Sequence, residues 1–375
     1  ERCVCDIGGV LRMLSCLIFF FNDPAPAENY TLSLHDALPI SRSERTRFMR
    51  AAVITEPGGP DVLKIMEVDD PALGPDDILV DVKATALNRA DTLQRQGGYP
   101  SPPGSPSDIL GLEFAGVVLE AGDRVVGMAK GDRVFGLLGG GGYASRIITH
   151  HRMAIPIPDG WDFVQAAATP EVYFTAYDAL FNRANLQMGE TVLIHAAGSG
   201  VGTAAVQLAH HAGAFVFGTA GSAAKLAGAA ELGMNVGINY HEQDFAAVVK
   251  EKTAGAGVDV LIDFIGGPYW DQNIDSMAVL GRMVEVGLMG GGQVQVDLRQ
   301  LMAKRLQVCG TGLRGRSIEE KLTVTAQFKR HVLPHLTSGS MKPVVDRTFP
   351  LEEVAEAHRY METNANFGKI VLTID

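Results

Sequence analysis

The stretch that decides the fold is TVLIHAAGSGVG, residues 191–202. Its first half, residues 191–196, is a short and mostly apolar run with the length of a buried strand. Its second half is made of glycine and other small residues, and the small-residue pattern of 202–213 after it predicts a helix. A strand, a glycine-rich turn and a helix in this order are typical of the first unit of a dinucleotide-binding sheet.

The turn at residues 197–202 has the composition of a phosphate-binding loop. Small residues let the backbone approach a pyrophosphate at the helix N-terminus, where free N–H groups and the helix dipole favour an anion. The strict G-x-G-x-x-G pattern is not met, since Ala197 and Ser199 take its first and third positions. A tight strand-to-helix connection is the alternative, and the further βα units downstream favour the phosphate loop.

Alternating strands and helices continue after this turn, which predicts an α/β fold with a Rossmann doubly wound parallel sheet. Further strands are predicted at 215–219, 258–265, 282–287 and 306–311, with a helix at 222–233.

The flanking regions predict a second domain. Before residue 173 the pattern is one of short β-like runs broken by glycine and proline, at 78–84, 113–120, 133–136 and 144–149. After residue 311 come a long amphipathic helix (317–336), a strand (344–349), a helix (351–364) and a last strand (369–374). These last pieces have no place in a finished six-stranded sheet. We therefore predict a β-rich, partly barrelled domain at 49–173, completed by 312–375, a dinucleotide-binding domain at 174–311, and a cofactor cleft between them.

Composition limits the classes of partner. The chain has 375 residues, 46% of them hydrophobic, and a formal net charge of −11, so no basic surface is available for a nucleic-acid backbone. The four cysteines, Cys3, Cys5, Cys16 and Cys309, cannot build a disulfide framework, which favours a reducing, cytoplasmic setting.

Residues 1–48 differ from the rest. The apolar run at 11–21 has the length of the core of a signal peptide and is too short to span a bilayer, so we expect no membrane partner. A secretory leader is one interpretation. The other, which we favour, is an artefact, because residues 19–41 resemble a translated sequencing adapter. Met49 then is the expected start.

The stretch after the second predicted strand favours NADPH over NADH. A site that prefers NAD places an acid there for the ribose 2′-hydroxyl. Residues 218–225 read GTAGSAAK, and no acid occurs before Glu231. An additional phosphate would meet hydrogen-bond donors and Lys225 instead, although Lys225 alone is equally consistent with a solvated helix lysine.

Several motifs together resemble those of the medium-chain dehydrogenase/reductase superfamily. They are LNRAD (87–91), QGGY (96–99), GLE (111–113) and the turn at 197–202, and the resemblance covers 49–375. Within the superfamily the chain is similar to the zinc-free quinone oxidoreductase (zeta-crystallin-like) branch. It looks closest to the subgroup of quinone reductases induced by a tumour suppressor, through residues 88–99, 198–205, 266–270 and 285–292. The resemblance implies a GroES-like first domain, an NADPH site and a homodimer or homotetramer.

The same resemblance implies a set of cofactor-binding residues. The pyrophosphate would lie against Ala197, Ser199, Gly200, Val201 and Gly202, and the 2′-phosphate against Gly221, Ser222, Lys225 and Tyr240. The nicotinamide or its ribose would lie near Asn88, Thr175, Gly266, Leu288 and Leu313.

No metal site is expected. Zinc-using relatives bind the metal through a Cys, a His-Glu pair and a later Cys or acid; the corresponding positions here are Asn88, Leu112-Glu113 and the region of Glu171. A tetrahedral zinc site needs three or four placed ligands.

Without a metal, a carbonyl must be polarised by hydrogen-bond donors or accept hydride unaided, as quinones do. Tyr99, eleven residues after the candidate catalytic Asn88, is the candidate donor, with a surface loop tyrosine as the alternative. We therefore predict an NADPH-dependent quinone oxidoreductase that transfers a hydride or electrons to a small quinone or conjugated carbonyl. One alternative is a reductase of enals, enones or enoyl thioesters in which the tyrosine is the proton donor. The other is a crystallin-like protein that binds NADPH in a structural or RNA-binding role.

Overall fold

The computed structural model describes residues 48–375 of the chain. The predicted leader, residues 1–48, lies outside the described residues apart from Phe48, which begins the first strand. Among the described residues, no helix is long and apolar enough to cross a membrane.

Within residues 48–375, fifteen strands form the sheets. In chain order they are β1 (Phe48–Ile54), β2 (Leu63–Asp69), β3 (Asp77–Ala86), β4 (Glu113–Ala121), β5 (Arg133–Leu137), β6 (Arg146–His150), β7 (Ala154–Pro156), β8 (Thr191–Ile194), β9 (Phe215–Ala220), β10 (Val236–Asn239), β11 (Val258–Asp263), β12 (Met277–Glu285), β13 (Gln307–Gly310), β14 (Val345–Pro350) and β15 (Lys369–Thr373).

Eleven α-helices connect and cover these strands within residues 48–375. They are α1 (Arg89–Arg95), α2 (Phe163–Ala167), α3 (Pro170–Tyr177), α4 (Gly200–His211), α5 (Ala223–Glu231), α6 (Phe245–Lys252), α7 (Trp270–Ser276), α8 (Leu298–Lys304), α9 (Ile318–His331), α10 (Leu333–Thr337) and α11 (Val354–Glu362). A π-helical segment, Asp178–Arg183, continues α3.

The six-stranded sheet has the order β10-β9-β8-β11-β12-β13, and every neighbouring pair is parallel. Numbered within this sheet, the order is 3-2-1-4-5-6, that of a doubly wound dinucleotide-binding fold. Successive strands are added on one side of β8 up to β10 and on its other side from β11 onwards. Such a switch point leaves a crevice beyond the carboxyl ends of β8 and β11. The predicted Rossmann sheet is confirmed.

The seven-stranded sheet has the order β14-β15-β3-β4-β5-β7, with β6 also paired to β3. The last two strands of the chain thus join a sheet whose other members precede residue 157. Strand β15 runs antiparallel to β3 through pairs such as Val371 with Ala86. This confirms the predicted β-rich domain completed by the C-terminal segment. The exact boundaries remain a proposal, since α3 crosses residue 173.

The long helix predicted at 317–336 is two helices in the structure. Helix α9 ends at His331 and α10 begins at Leu333, with Pro334 in its first turn. Proline lacks the backbone N–H that a continuous helix needs, and its ring fits only a first turn. The amphipathic pattern alone did not reveal this break.

The return of the chain to the first domain brings residues 364–369 against the dinucleotide-binding sheet. Gly368 pairs with Ser199, and the amide of Gly368 donates to the carbonyl of Gly198 at 3.0 Å. Because of this docking, β15 begins beside the glycine turn and places Lys369 in the cleft.

Candidate active site

The glycine turn presents free donors at the start of α4. The Ser199 hydroxyl accepts from the amide of Gly202 at 3.0 Å and caps the helix. The amides of Gly200 and Val201 have no acceptor among residues 48–375. A side chain at Gly202 would place its Cβ 2.2 Å from the carbonyl oxygen of Ala196, so only glycine fits there. Unpaired amides at the end of a 12-residue helix fit the pyrophosphate of a dinucleotide.

Lys369 adds a buried cation beside this turn. Its ammonium donates at 2.7 Å to the carbonyl of Leu87, to Oδ1 of Asn88 and to Oε1 of Glu113. Its aliphatic part lies along Gly200, where a Cβ would come within 2.8 Å of Cδ of Lys369. Lys369 is not among the predicted site residues, since a lysine that opens an apolar strand, KIVLT, carries no motif of its own.

The positions that bind zinc in zinc-using relatives do come together here. Asn88 donates through Nδ2 to Oε1 of Glu113 at 3.0 Å, and the amide of Glu171 donates to Oε2 of Glu113 at 2.9 Å. Both polar atoms of the Asn88 side chain are thus engaged by Glu113 and Lys369. Within residues 48–375 no group of three or more His, Cys, Asp or Glu side chains is placed to hold a metal ion.

The carboxyl group of Glu171 has a raised pKa. Part of its surface remains exposed, but the surrounding protein desolvates the carboxyl and raises its pKa to about 8, and the Glu113 carboxylate adds to the rise. At neutral pH the Glu171 side chain is therefore mostly a neutral carboxylic acid.

Tyr99 lies near Glu171 and Arg314. Burial raises the pKa of its phenol, against the effect of the nearby Arg314, and Glu171 also raises it. The Cζ atom of Arg314 lies 5.1 Å from the centre of the Tyr99 ring. Tyr99 is 36% exposed and so lies in a partly open position, and its raised pKa keeps the phenol neutral.

The predicted nicotinamide contacts fall into two groups. Gly266 has a φ of +84°, and a Cβ there would lie 2.6 Å from the carbonyl oxygen of Gly291 and 2.9 Å from Cδ2 of Leu288. Leu288 itself is exposed. Leu313 is buried in the core that includes Val172 and Phe174 of α3, the helix that carries Thr175.

A buried polar chain fixes the loop of Gly266. His195 binds Thr219 through Nδ1 at 2.9 Å and Asn273 through Nε2 at 2.7 Å. Asn273 in turn donates to Asp263 at 2.9 Å, and Asp263 accepts from the amide of Gly266 at 3.1 Å. His195 is therefore a packed, hydrogen-bonded histidine.

The predicted 2′-phosphate residues lie around the start of α5. A Cβ at Gly221 would lie 2.6 Å from the Tyr240 hydroxyl, and the Ser222 hydroxyl caps α5 by accepting from the Lys225 amide at 3.4 Å. The Lys225 ammonium donates to the carbonyl of Asn364 at 2.6 Å. Since an ammonium has three donors, this bond leaves two for a ligand. Burial lowers the pKa of Lys225, and the nearby Arg89 lowers it further.

Comparison with known proteins identifies the family. Residues 74–159 match the model of the alcohol dehydrogenase GroES-like domain, and residues 200–327 match that of the zinc-binding dehydrogenases. The quinone oxidoreductase of Rattus norvegicus is 33% identical over 331 residues, which cover 88% of this chain and 98% of that protein. The chain belongs to the quinone oxidoreductase branch of the medium-chain dehydrogenase/reductase superfamily.

Solved structures agree with membership of this branch. A mycobacterial protein solved in complex with NADPH has a TM-score of 0.79 and 28% identity, over 87% of this chain and 100% of that one. The CurK enoyl reductase has a TM-score of 0.78 and 30% identity, over 87% and 99%. As a member of the quinone oxidoreductase branch the protein is an oxidoreductase of small molecules, and the free amides of its glycine turn fit the nicotinamide dinucleotide that the branch binds.

Proposed function

We propose that this protein is an NADPH-dependent quinone oxidoreductase that works without a metal. The observation that carries the proposal is the cleft group of Asn88, Glu113 and Lys369, in which an ammonium is bonded to the residues at two former ligand positions. A fixed ammonium at this point disfavours a second cation by charge repulsion. The electrophile must then be activated by hydrogen bonds or be reactive by itself.

The choice of NADPH rests on the region around α5. No acid lies between the end of β9 and Glu231, whereas Ser222, Lys225 and Tyr240 bring two hydroxyls and a cation to this region. The similarity to a mycobacterial protein solved with NADPH supports the same cofactor.

When bound, the nicotinamide supplies the hydride. The protein orients the acceptor beside it, and orientation alone can supply about 7–11 kcal/mol of the barrier. In the proposed site the Tyr99 phenol, held neutral by its raised pKa, donates a hydrogen bond to the acceptor oxygen. A quinone is a reactive hydride acceptor, because its reduction restores an aromatic ring.

Reduction of an enone or an enoyl thioester is the second candidate. The similarity to the CurK enoyl reductase and the position of Tyr99 beside the cleft group favour it. In that reaction the tyrosine would protonate carbon after hydride transfer, which is a general-acid role.

The deciding experiment is a steady-state screen of the full chain. Oxidation of NADPH and of NADH would be followed with benzoquinones and naphthoquinones, with enals and enones, and with enoyl thioesters. We expect the highest kcat/KM for a quinone with NADPH. Turnover of enoyl thioesters with no quinone activity would replace the proposal by the second candidate, and preference for NADH would overturn the cofactor assignment.

A further inference from the structure

Arg314, in the loop that follows β13, is a buried cation that forms no salt bridge with any residue of 48–375. The residue is only 6% exposed. Its Nε donates to the carbonyl of Gly139 at 2.7 Å, and its Nη2 donates to Gln94 at 2.6 Å and to the Ser101 hydroxyl at 3.0 Å. All three acceptors are neutral. Its Nη1 is buried and meets no hydrogen-bond acceptor among residues 48–375.

Other arginines nearby differ in this respect. Arg316, two residues further on, binds both oxygens of Asp178, and the fully buried Arg95 pairs with Glu362. Burying a charge without a partner is strongly unfavourable, and leaving one of its donors unpaired adds to the penalty. Such a group in a native site is satisfied by a water, an ion or a ligand, or has a catalytic role, and its place beside the cleft favours a ligand.

The surroundings of Arg314 point to the substrate side of the cleft. Its guanidinium lies over the ring of Tyr99, the proposed hydrogen-bond donor to the acceptor, and Leu313 before it is a predicted nicotinamide contact. The carboxyl groups that act on it from further away are Asp91 and Glu171. Glu171 is mostly neutral at neutral pH, because its pKa is raised to about 8. Asp91, with a pKa raised to about 6, is mostly ionised, but its oxygens accept from the amides of Asn88 and Gly111 and from the Tyr143 hydroxyl, and it forms no direct ion pair with Arg314.

We propose that Arg314 binds the carbonyl oxygen of the acceptor through Nη1 and stabilises the negative charge that this oxygen gains. The inference rests on the proposed function in that the acceptor is a carbonyl compound. Hydride transfer oxidises the cofactor and leaves the acceptor with one added hydrogen and an oxyanion. A proton from Tyr99 or from water then completes the reduction. Preorganised donors of this kind act mainly on the charged transition state.

A binding experiment tests this without any turnover. The full chain, saturated with NADP⁺, would be titrated with 4-nitrophenol as a probe, and the absorbance of the phenolate followed across pH. Since Arg314 would favour the anion, we expect the bound phenol to ionise at lower pH than the free one. Arg314→Lys keeps the charge but loses the planar fork, so it should weaken phenolate binding about 10- to 100-fold and leave the neutral phenol little changed. Arg316→Lys is the matched control and should behave as wild type.

The wild type alone can overturn the inference. Failure of 4-nitrophenol to bind, or equal affinity for phenol and phenolate, refutes it even if Arg314→Lys does not fold. Equal phenolate affinity in Arg314→Lys and wild type refutes it as well.

A kinetic arm separates the inference from the proposed function. With a quinone, Arg314→Lys should lower kcat by about 100-fold with a small change in KM. A wild type that prefers the phenolate but reduces no quinone would remove the proposed function and leave Arg314 as an oxyanion-binding residue. If the wild type reduces quinones and Arg314→Lys has an unaltered kcat, the proposed function is kept and the role of Arg314 as an oxyanion-binding residue is refuted.

Discussion

The Lys369 ammonium lies 2.7 Å from Oε1 of Glu113, and both side chains are almost completely buried. The contact joins the first residue of β15 to the first residue of β4, at the edge of the cleft. Glu113 also accepts from Asn88 and from the amide of Glu171, so its charge is compensated from three sides. This ion pair therefore organises the proposed site as well as the closure of the β-rich domain.

Lys369→Met should be strongly destabilising. The substitution leaves the Glu113 carboxylate buried and without its cation, and loss of one partner of a buried pair typically costs about 3–5 kcal/mol. Urea unfolding measures the change. Lys250→Met, which removes an exposed pair with Asp275, is the control and should cost under about 1 kcal/mol. Equally small changes in the free energy of unfolding for the two variants would contradict a structural role of the Lys369–Glu113 pair.

Tyr99→Phe distinguishes quinone from enoyl chemistry. If carbon must be protonated, loss of a positioned general acid lowers the rate by about 10² to 10⁴. If the acceptor is a quinone, water can supply the proton and the loss stays near tenfold, about 1 kcal/mol. The measurement is kcat/KM for both acceptor classes, with the NADPH dissociation constant checked separately. A thousandfold loss of quinone turnover with cofactor binding intact would overturn the quinone mechanism.

Lys225→Ala should weaken NADPH selectively. A charge-assisted hydrogen bond to the 2′-phosphate is worth roughly 1.5–3 kcal/mol, so the NADPH dissociation constant should rise about 10- to 100-fold. NADH, which lacks that phosphate, should bind nearly as before. Fluorescence titration with both cofactors measures this, and Lys252→Ala on the exposed end of α6 is the control. Equal weakening of both cofactors would show instead that the bond of Lys225 to Asn364 is structural.

Glu171→Gln should change the pH dependence of stability. The pKa of Glu171 is raised from 4.5 to about 8 in the folded protein, so the folded state holds a proton that the unfolded chain releases. Its contribution to stability is fully present below about pH 4.5 and is lost as the pH rises through about 8. The difference in Tm between Glu171→Gln and wild type should therefore increase between pH 5 and pH 8. Thermal unfolding of both proteins at intervals of about one pH unit measures this difference. Glu242→Gln, at an exposed position, should show no such trend.

Removal of metal should leave the activity unchanged. Asn88 and Leu112 stand where zinc-using relatives have ligands, and Lys369 is bonded to Asn88 and Glu113. The purified protein would be analysed for zinc and assayed before and after dialysis against a chelator. Activity that is lost with the chelator and restored by zinc would refute the zinc-free mechanism.

The dinucleotide-binding half could be predicted from the amino-acid sequence. Strand β8, the turn and α4 are contiguous, and local periodicity with small residues is enough to predict such a unit. The return of the last strand to the first domain could also be predicted, because the six-stranded dinucleotide-binding sheet is complete without it. The break at Pro334 was a local signal that the longer amphipathic pattern concealed.

The electrostatics of the cleft could not be predicted from the sequence, because they depend on contacts between distant segments. Lys369 meets Asn88 across 281 positions of sequence, and Arg314 meets Gln94 across 220. Neither lysine nor arginine belongs to a motif here, and a solvent-exposed place is the usual one for both. The burial of Lys369 follows from the docking of residues 364–369 on the glycine turn. The burial of Arg314, whose Nη1 meets no acceptor among residues 48–375, follows from the packing of the loop after β13. Glu171 is mostly neutral because the folded protein desolvates its carboxyl group. Charge burial depends on which distant segments meet, and a local sequence pattern does not encode that.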